Sequence, residues 1–183
     1  ILNIRNRLQG NLDEYGFKYI DANSLVTGKD FLLKIWQLIL SVPIGIGIIT
    51  EELNQLTMAN IFYEIGLMQA LGKETVIIKS EKIKAPSDFI RTEYIQFDNN
   101  FKEKLDIFFN TMNKTAEHFF QIGKLVENNI LLSLDYLKRS YLITGNQDAQ
   151  EKASDILKRK EINKRINALN INSLIDFSWV NNN

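Results

Sequence analysis

The chain has 183 residues, enough for one sizeable core and a smaller appendage. Its 22 Lys and Arg residues balance 22 Asp and Glu residues, so no net field favours nucleic acid or a membrane surface as a partner. With no cysteine and a single histidine, disulfides, thiolate metal sites and a cysteine nucleophile are excluded, and a His-rich zinc site is disfavoured.

In chain order, Ile4, Leu8 and Leu12 recur at helical spacing, and Gly16 sits where a helix would close. Phe17 to Ile20 reads as a short strand that ends at Asp21. At the carboxyl end of a doubly wound sheet, Asp21 could accept ribose hydroxyls; as sequence, Asp21, Asn23 and Ser24 read first as ordinary turn residues. A helix is expected from Thr27 or Gly28, with Leu32, Leu33, Ile35, Trp36, Ile39 and Leu40 on its core face, and Pro43 ends it. The apolar run from Phe31 to Ile49 is broken by Lys34, Gln37, Ser41 and Pro43. It reads as helix, break and strand rather than a membrane span. No signal peptide is visible and the first residue is Ile1, which leads to the expectation of a cytoplasmic protein with sequence upstream.

The centre of the chain is PIGIGIITEELNQLTMANIFYEIGLMQALGKETVIIK, residues 43 to 79. Ile44 to Ile49 and Thr75 to Ile78 are continuous β-branched runs, which suit parallel strands covered on both faces. Between them lies a helix with Thr57 placed to cap its start and Gly72 to follow its end. The unit reads as strand, helix, strand, and the loop from Thr50 to Leu56 lies at the end where such sheets bind ligands. Gly45-Ile46-Gly47 lies inside a strand, with no third glycine and no helix at once behind it. It is a poor phosphate cradle; the glycines permit close packing or the approach of a ligand to the backbone.

Within the helix, Ile61, Phe62, Ile65, Leu67, Met68 and Leu71 leave little polar surface around Glu64. An ionised carboxylate there is costly unless it is paired, hydrated in a cleft, or neutralised by a raised pKa. Asn60, one turn earlier, shares its side of the helix.

Beyond the second strand come a polar loop, a turn at Pro86 to Asp88 and a last strand from Glu93 to Phe97. Arg91 is either a phosphate ligand or an ordinary surface arginine. Phe101 to Phe109 supplies a covering helix, and from Lys114 the periodicity is wholly helical. Gly123, Ser133 and Ser140 are placed as the small contacts of a tetratricopeptide-like helical pair. Asn128-Asn129 and the stretch from Thr144 to Asp148 read as its turns, and Ala149 to Arg159 as an extension. The basic cluster at 158–165 reads as a solvated helix face, and His118 as a surface residue. Trp179 and Val180 belong to an apolar tail suited to docking on the pair or to self-association.

The stretch NIFYEIGLMQALGK, followed by a strand, the Pro86–Asp88 turn and YIQF, resembles bacterial nucleotide-binding TIR-like domains, which read N-x-x-Y-E-h-G-h-x-x-A-h-G-K with h apolar. The related nucleoside 2-deoxyribosyltransferases share an E-h-G-x-A pattern. The resemblance spans about residues 1 to 110 and implies an α/β domain over residues 1–112, a flavodoxin-like parallel sheet whose first strand lies upstream. A helical, tetratricopeptide-like segment would occupy residues 113–183. Glu64 falls on the family's catalytic glutamate. The implied activity is cleavage of the N-glycosidic bond of NAD, a substrate rather than a cofactor, often in antiviral defence; other relatives only bind nucleotides. Asn60, Tyr63, Asp21, Gly45 and Gly47 are the candidate substrate-binding residues, with no metal. A homo-oligomer or a protein partner would engage the helical segment, and the alternative is a non-catalytic nucleotide sensor or scaffold.

Overall fold

The computed structural model describes residues 1–21, 31–83, 93–159 and 178–180. The chain is mixed α/β and mostly helical, and divides into two compact units, Ile1–Phe109 and Asn110–Asn183. In the first unit the described elements are α1 (Leu2–Glu14), α2 (Phe31–Ser41), β1 (Ile44–Ile49), α3 (Gln55–Ala70), β2 (Glu74–Lys79) and β3 (Glu93–Gln96). Helix α4 (Phe101–Leu125) begins in the first unit and ends in the second, which also holds α5 (Ile130–Thr144) and α6 (Gln147–Lys158).

The three strands form a parallel sheet in the order β1-β2-β3, with Ile44 opposite Glu74 and Ile78 opposite Ile95. β2 lies between two neighbours, and its Val76, Ile77 and Ile78 are fully buried. Complete burial of such a side chain is worth about 1.5–3 kcal/mol, so this strand is the anchor of the sheet. On one face Ile49, Ile65 and Ile77 form a cluster, and Ile35, Ile39 and Met68 form another. The β1 glycines make this packing possible. A Cβ on Gly45 would overlap the Met68 sulfur, and one on Gly47 would come within 3.1 Å of Ile61 Cγ2 and 3.4 Å of Ile65 Cγ1.

Several expectations are corrected. Phe17 to Ile20 forms no strand; Phe17 stacks obliquely on Phe109, with ring centroids 5.2 Å apart, and a cavity separates the segment from β1. A strand needs a neighbour to take its backbone hydrogen bonds, and the described residues offer this segment none. Asn54, not Thr57, caps α3: its side-chain oxygen accepts the Thr57 N–H at 2.8 Å. Thr57 is the third residue of the helix, where the capped donor belongs. In α2, Ile35 and Ile39 are buried but Trp36 and Leu40 are exposed, so the core face is narrower than the composition suggested. The covering helix does not stop at Phe109; α4 is continuous to Leu125. The start of the helix expected at Thr27 or Gly28, the turn at Pro86 to Asp88, Arg91, and residues 160–177 lie outside the described residues.

In the second unit, Ser133 Oγ donates to Gly123 O at 2.7 Å and Leu137 packs against Gly123, so α4 and α5 meet backbone to backbone. Asn129 and Asn146 cap α5 and α6, and Gly145 takes the left-handed conformation (φ 68°) between them. Trp179 and Val180 are buried in the cluster formed by Leu134, Leu137, Ala149, Ala153 and Ile156, and Gln150 Nε2 donates to Trp179 O at 2.6 Å. Arg159 and Lys152 both pair with Glu127, at 2.7 and 2.6 Å. His118 is exposed. Among the described residues no helix is long and apolar enough to cross a membrane.

Two glycine-to-alanine substitutions should move stability in opposite directions. At Gly10, on the exposed side of α1, a Cβ meets nothing within 4 Å, so the gain in helix propensity, about 1 kcal/mol, should raise Tm. At Gly123 a Cβ would lie 2.9 Å from Leu137 Cγ. Overpacking there, at about 1–3 kcal/mol, should outweigh the propensity gain and lower Tm. Thermal unfolding of the two variants checks both signs.

Candidate functional site

Glu64 lies on the tenth residue of α3. The helix is aimed by its Asn54 cap and ended at Leu71–Gly72, where Gly72 has φ 68° and the Lys73 N–H returns to Met68 O at 2.9 Å. One side of α3 is held against β1 by Ile61, Ile65 and Met68, and Glu64 projects beside that contact, half-buried. Its carboxylate makes no ion pair or hydrogen bond among the described residues. Burial alone pushes its pKa above the ordinary carboxylate value.

The carboxylate lines a cavity of about 210 Å³. The walls come from α1 (Leu12), the segment from Phe17 to Ile20, the end of α2 (Ile35, Leu38, Ile39), the start of β1 (Ile44, Gly45, Ile46), Met68 and Phe109. They are largely apolar, with Glu64, Lys18 and Tyr19 as the ionisable groups. Burial raises the Tyr19 phenol first, and the charge of Asp21 adds to it.

The structure brings two of the residues singled out from sequence, Glu64 and Gly45, to one cavity. Gly47 is buried beneath Ile61 and Ile65 and serves packing. Asp21 is ion-paired with Arg5 at 3.0 Å, which ties the segment after Ile20 back to α1. Asn60 and Tyr63 are exposed on α3, Tyr63 at 58%, and neither lines the cavity. Lys18 and Tyr19 do line it and were not singled out, because as sequence they are only the polar positions of a short apolar run. No spacing announces that this run faces β1 across a gap. At the carboxyl end of β1, Thr50 is buried and its hydroxyl has no hydrogen-bond partner among the described residues.

Among the described residues no three acidic or histidine side chains are gathered in a metal-binding group. The cavity presents one desolvated carboxylate, Glu64, beside an apolar hollow. Such a group can stabilise a developing cation, take a proton, or attack an electrophilic carbon.

Comparison with known proteins finds no match. No family model, curated protein or solved structure matches the chain.

The pKa shift has a thermodynamic consequence. A carboxyl whose folded pKa is raised stabilises the fold below its unfolded pKa, and that contribution is lost as pH rises through the folded value. At neutral pH the charged Glu64 therefore works against folding. Glu64→Gln should raise Tm at pH 7, and the difference should shrink as pH falls toward 4, near the ordinary glutamate pKa of about 4.3. Thermal melts across that range measure it.

Proposed function

We propose that the protein is an N-glycoside-cleaving hydrolase acting on NAD or a related nucleotide, with Glu64 as its catalytic carboxylate and a flavodoxin-like sheet as its frame. The observation that carries the reading is the position of Glu64: a half-buried carboxylate, unpaired among the described residues, on the wall of an apolar cavity. Charges held in such surroundings without a partner cost stability, and functional sites are where proteins keep them. The NIFYEIGLMQALGK stretch, which resembles the TIR-like pattern, supplies the reaction class.

In that reaction the bond between C1′ of the ribose and the nicotinamide nitrogen breaks. Its electron pair neutralises the cationic ring, so nicotinamide leaves without a general acid. The chain has a single histidine, and it lies exposed on α4 in the second unit. Positive charge develops on the sugar as the bond lengthens, and the Glu64 carboxylate stabilises it by facing the anomeric carbon. Water then adds to C1′ and gives up a proton, leaving ADP-ribose. A poorly solvated carboxylate suits this step, since its attraction for a cation is not shared with bulk water.

Gly45 contributes by lacking a side chain: it lets Met68 and α3 approach β1 and so brings Glu64 close to the strand. Lys18 and Tyr19 on the opposite wall are the polar groups available to orient a ribose or phosphate.

Incubation of the purified protein with NAD should release nicotinamide and ADP-ribose, resolved by chromatography. Glu64→Gln should reduce turnover by about 10³-fold, the order expected for loss of a group that acts in the transition state, while the far-UV spectrum is kept. NAD-induced thermal stabilisation without nicotinamide release would reject the enzymatic reading and leave a nucleotide-binding module.

A further inference from the structure

One wall of the Glu64 cavity is held without a sheet. Phe17 to Ile20 has no ladder partner among the described residues and is fastened at its two ends instead. At the first, Phe17 N–H donates to Leu12 O at 3.0 Å and the ring lies against Phe109. At the second, Arg5 of α1 donates to Asp21 Oδ2 at 3.0 Å. Tyr19 lies between these fastenings and lines the cavity. Its place on the wall is therefore set by Phe17 on one side and Asp21 on the other.

Asp21 also acts on Tyr19 directly. Its side chain is only 20% exposed, and besides the Arg5 guanidinium it accepts the Tyr19 hydroxyl. Burial raises the phenol pKa first, the charge of Asp21 adds to it, and Arg5 pulls it back. Tyr19 thus keeps its proton at neutral pH and directs it to Asp21.

A phenol has one proton to give and an oxygen that can accept. With the proton engaged by Asp21, the oxygen is what Tyr19 offers a ligand in the cavity. An acceptor of this kind suits a group that donates, such as a sugar hydroxyl. It does not suit a phosphate, whose oxygens accept and would meet the Asp21 carboxylate behind the phenol. Lys18, next to it on the same wall, is the complement, with three donors and no acceptor. The two neighbours divide the polar groups of a nucleotide between them.

We propose that Tyr19 reads a ribose hydroxyl at this cavity, and that Asp21, clamped by Arg5, is its positioning residue. Both roles rest on the reading of the protein as an N-glycoside-cleaving hydrolase, and they narrow its substrates to ribosides over deoxyribosides. The part of Asp21 changes with them: it holds the phenol that meets the sugar instead of meeting the sugar itself.

The 183-residue chain and its Tyr19→Phe and Asp21→Ala variants would be given NAD and its analogues lacking the 2′- or the 3′-hydroxyl of the nicotinamide ribose. The quantity read is the ratio of kcat/KM for NAD to that for each analogue, compared between variants so that the intrinsic reactivity of each substrate cancels. Tyr19→Phe should lower the ratio for one analogue by roughly 10-fold, the size of one hydrogen bond. Asp21→Ala should lower the same ratio. An unchanged ratio in Tyr19→Phe would overturn the proposal. Asp21→Ala should also lower the Tyr19 phenol pKa and Arg5→Met should raise it, followed by NMR of carbon-13-labelled tyrosine with Tyr19→Phe identifying the resonance. A merely structural Asp21 would leave the phenol unmoved, and that result removes the positioning role. If nicotinamide is not released, the same ratio is read from dissociation constants. Binding without cleavage rejects the enzymatic reading and leaves Tyr19 to stand or fall on the ratio, whereas cleavage with an unchanged ratio rejects the role of Tyr19 alone. No binding of NAD overturns both.

Discussion

A parallel strand is secure only when both of its edges are paired and both of its faces are covered, and that demand organises the first unit. β2 meets it fully: β1 and β3 occupy its edges, and Val76, Ile77 and Ile78 are inaccessible to water. The helices are arranged to serve that strand and its neighbours. α3 reaches β1 so closely because Gly45 and Gly47 have no side chains to hold it off. Glu64 owes its position to the same contact. A carboxylate one turn from Met68 and beside Ile65 has nowhere to go but the border of the cavity along β1.

The energetic character of that border differs from the rest of the unit. Several charges of the first unit are paired: Asp21 with Arg5, Asp98 with Lys104, Glu14 with Lys102. Glu64 has no such compensation among the described residues, and its carboxyl is shifted upward by desolvation alone. Exposed ion pairs contribute little to stability, whereas an uncompensated, half-buried carboxylate subtracts from it.

The second unit has a simpler logic. Ser133 and Gly123 let two helix backbones approach, Asn caps and Gly145 set the turns, and Trp179 returns to seal the α5–α6 surface. The Gln150 side chain satisfies the Trp179 carbonyl, so the docked segment does not leave a buried acceptor unpaired. Leu125, Leu131 and Leu132 remain exposed near the turn between α4 and α5.

The sequence by itself determined the elements whose signals are local. Continuous β-branched runs marked β1 and β2, the glycines at 16 and 72 marked helix ends, and helical periodicity marked α1, α5 and α6. It also isolated Glu64, because a lone charge in an oily helix is visible without coordinates. Tertiary structure alone decided what depends on neighbours. Phe17 to Ile20 has the composition of a strand but no strand among the described residues to pair with, Trp36 has the character of a core residue but is exposed, and Asn60 and Tyr63 share the helix of Glu64 without sharing its cavity. Periodicity tells a residue which side of its own element it occupies. Whether that side meets a wall, a gap or water is set by segments far away in the chain, through contacts that no local pattern encodes.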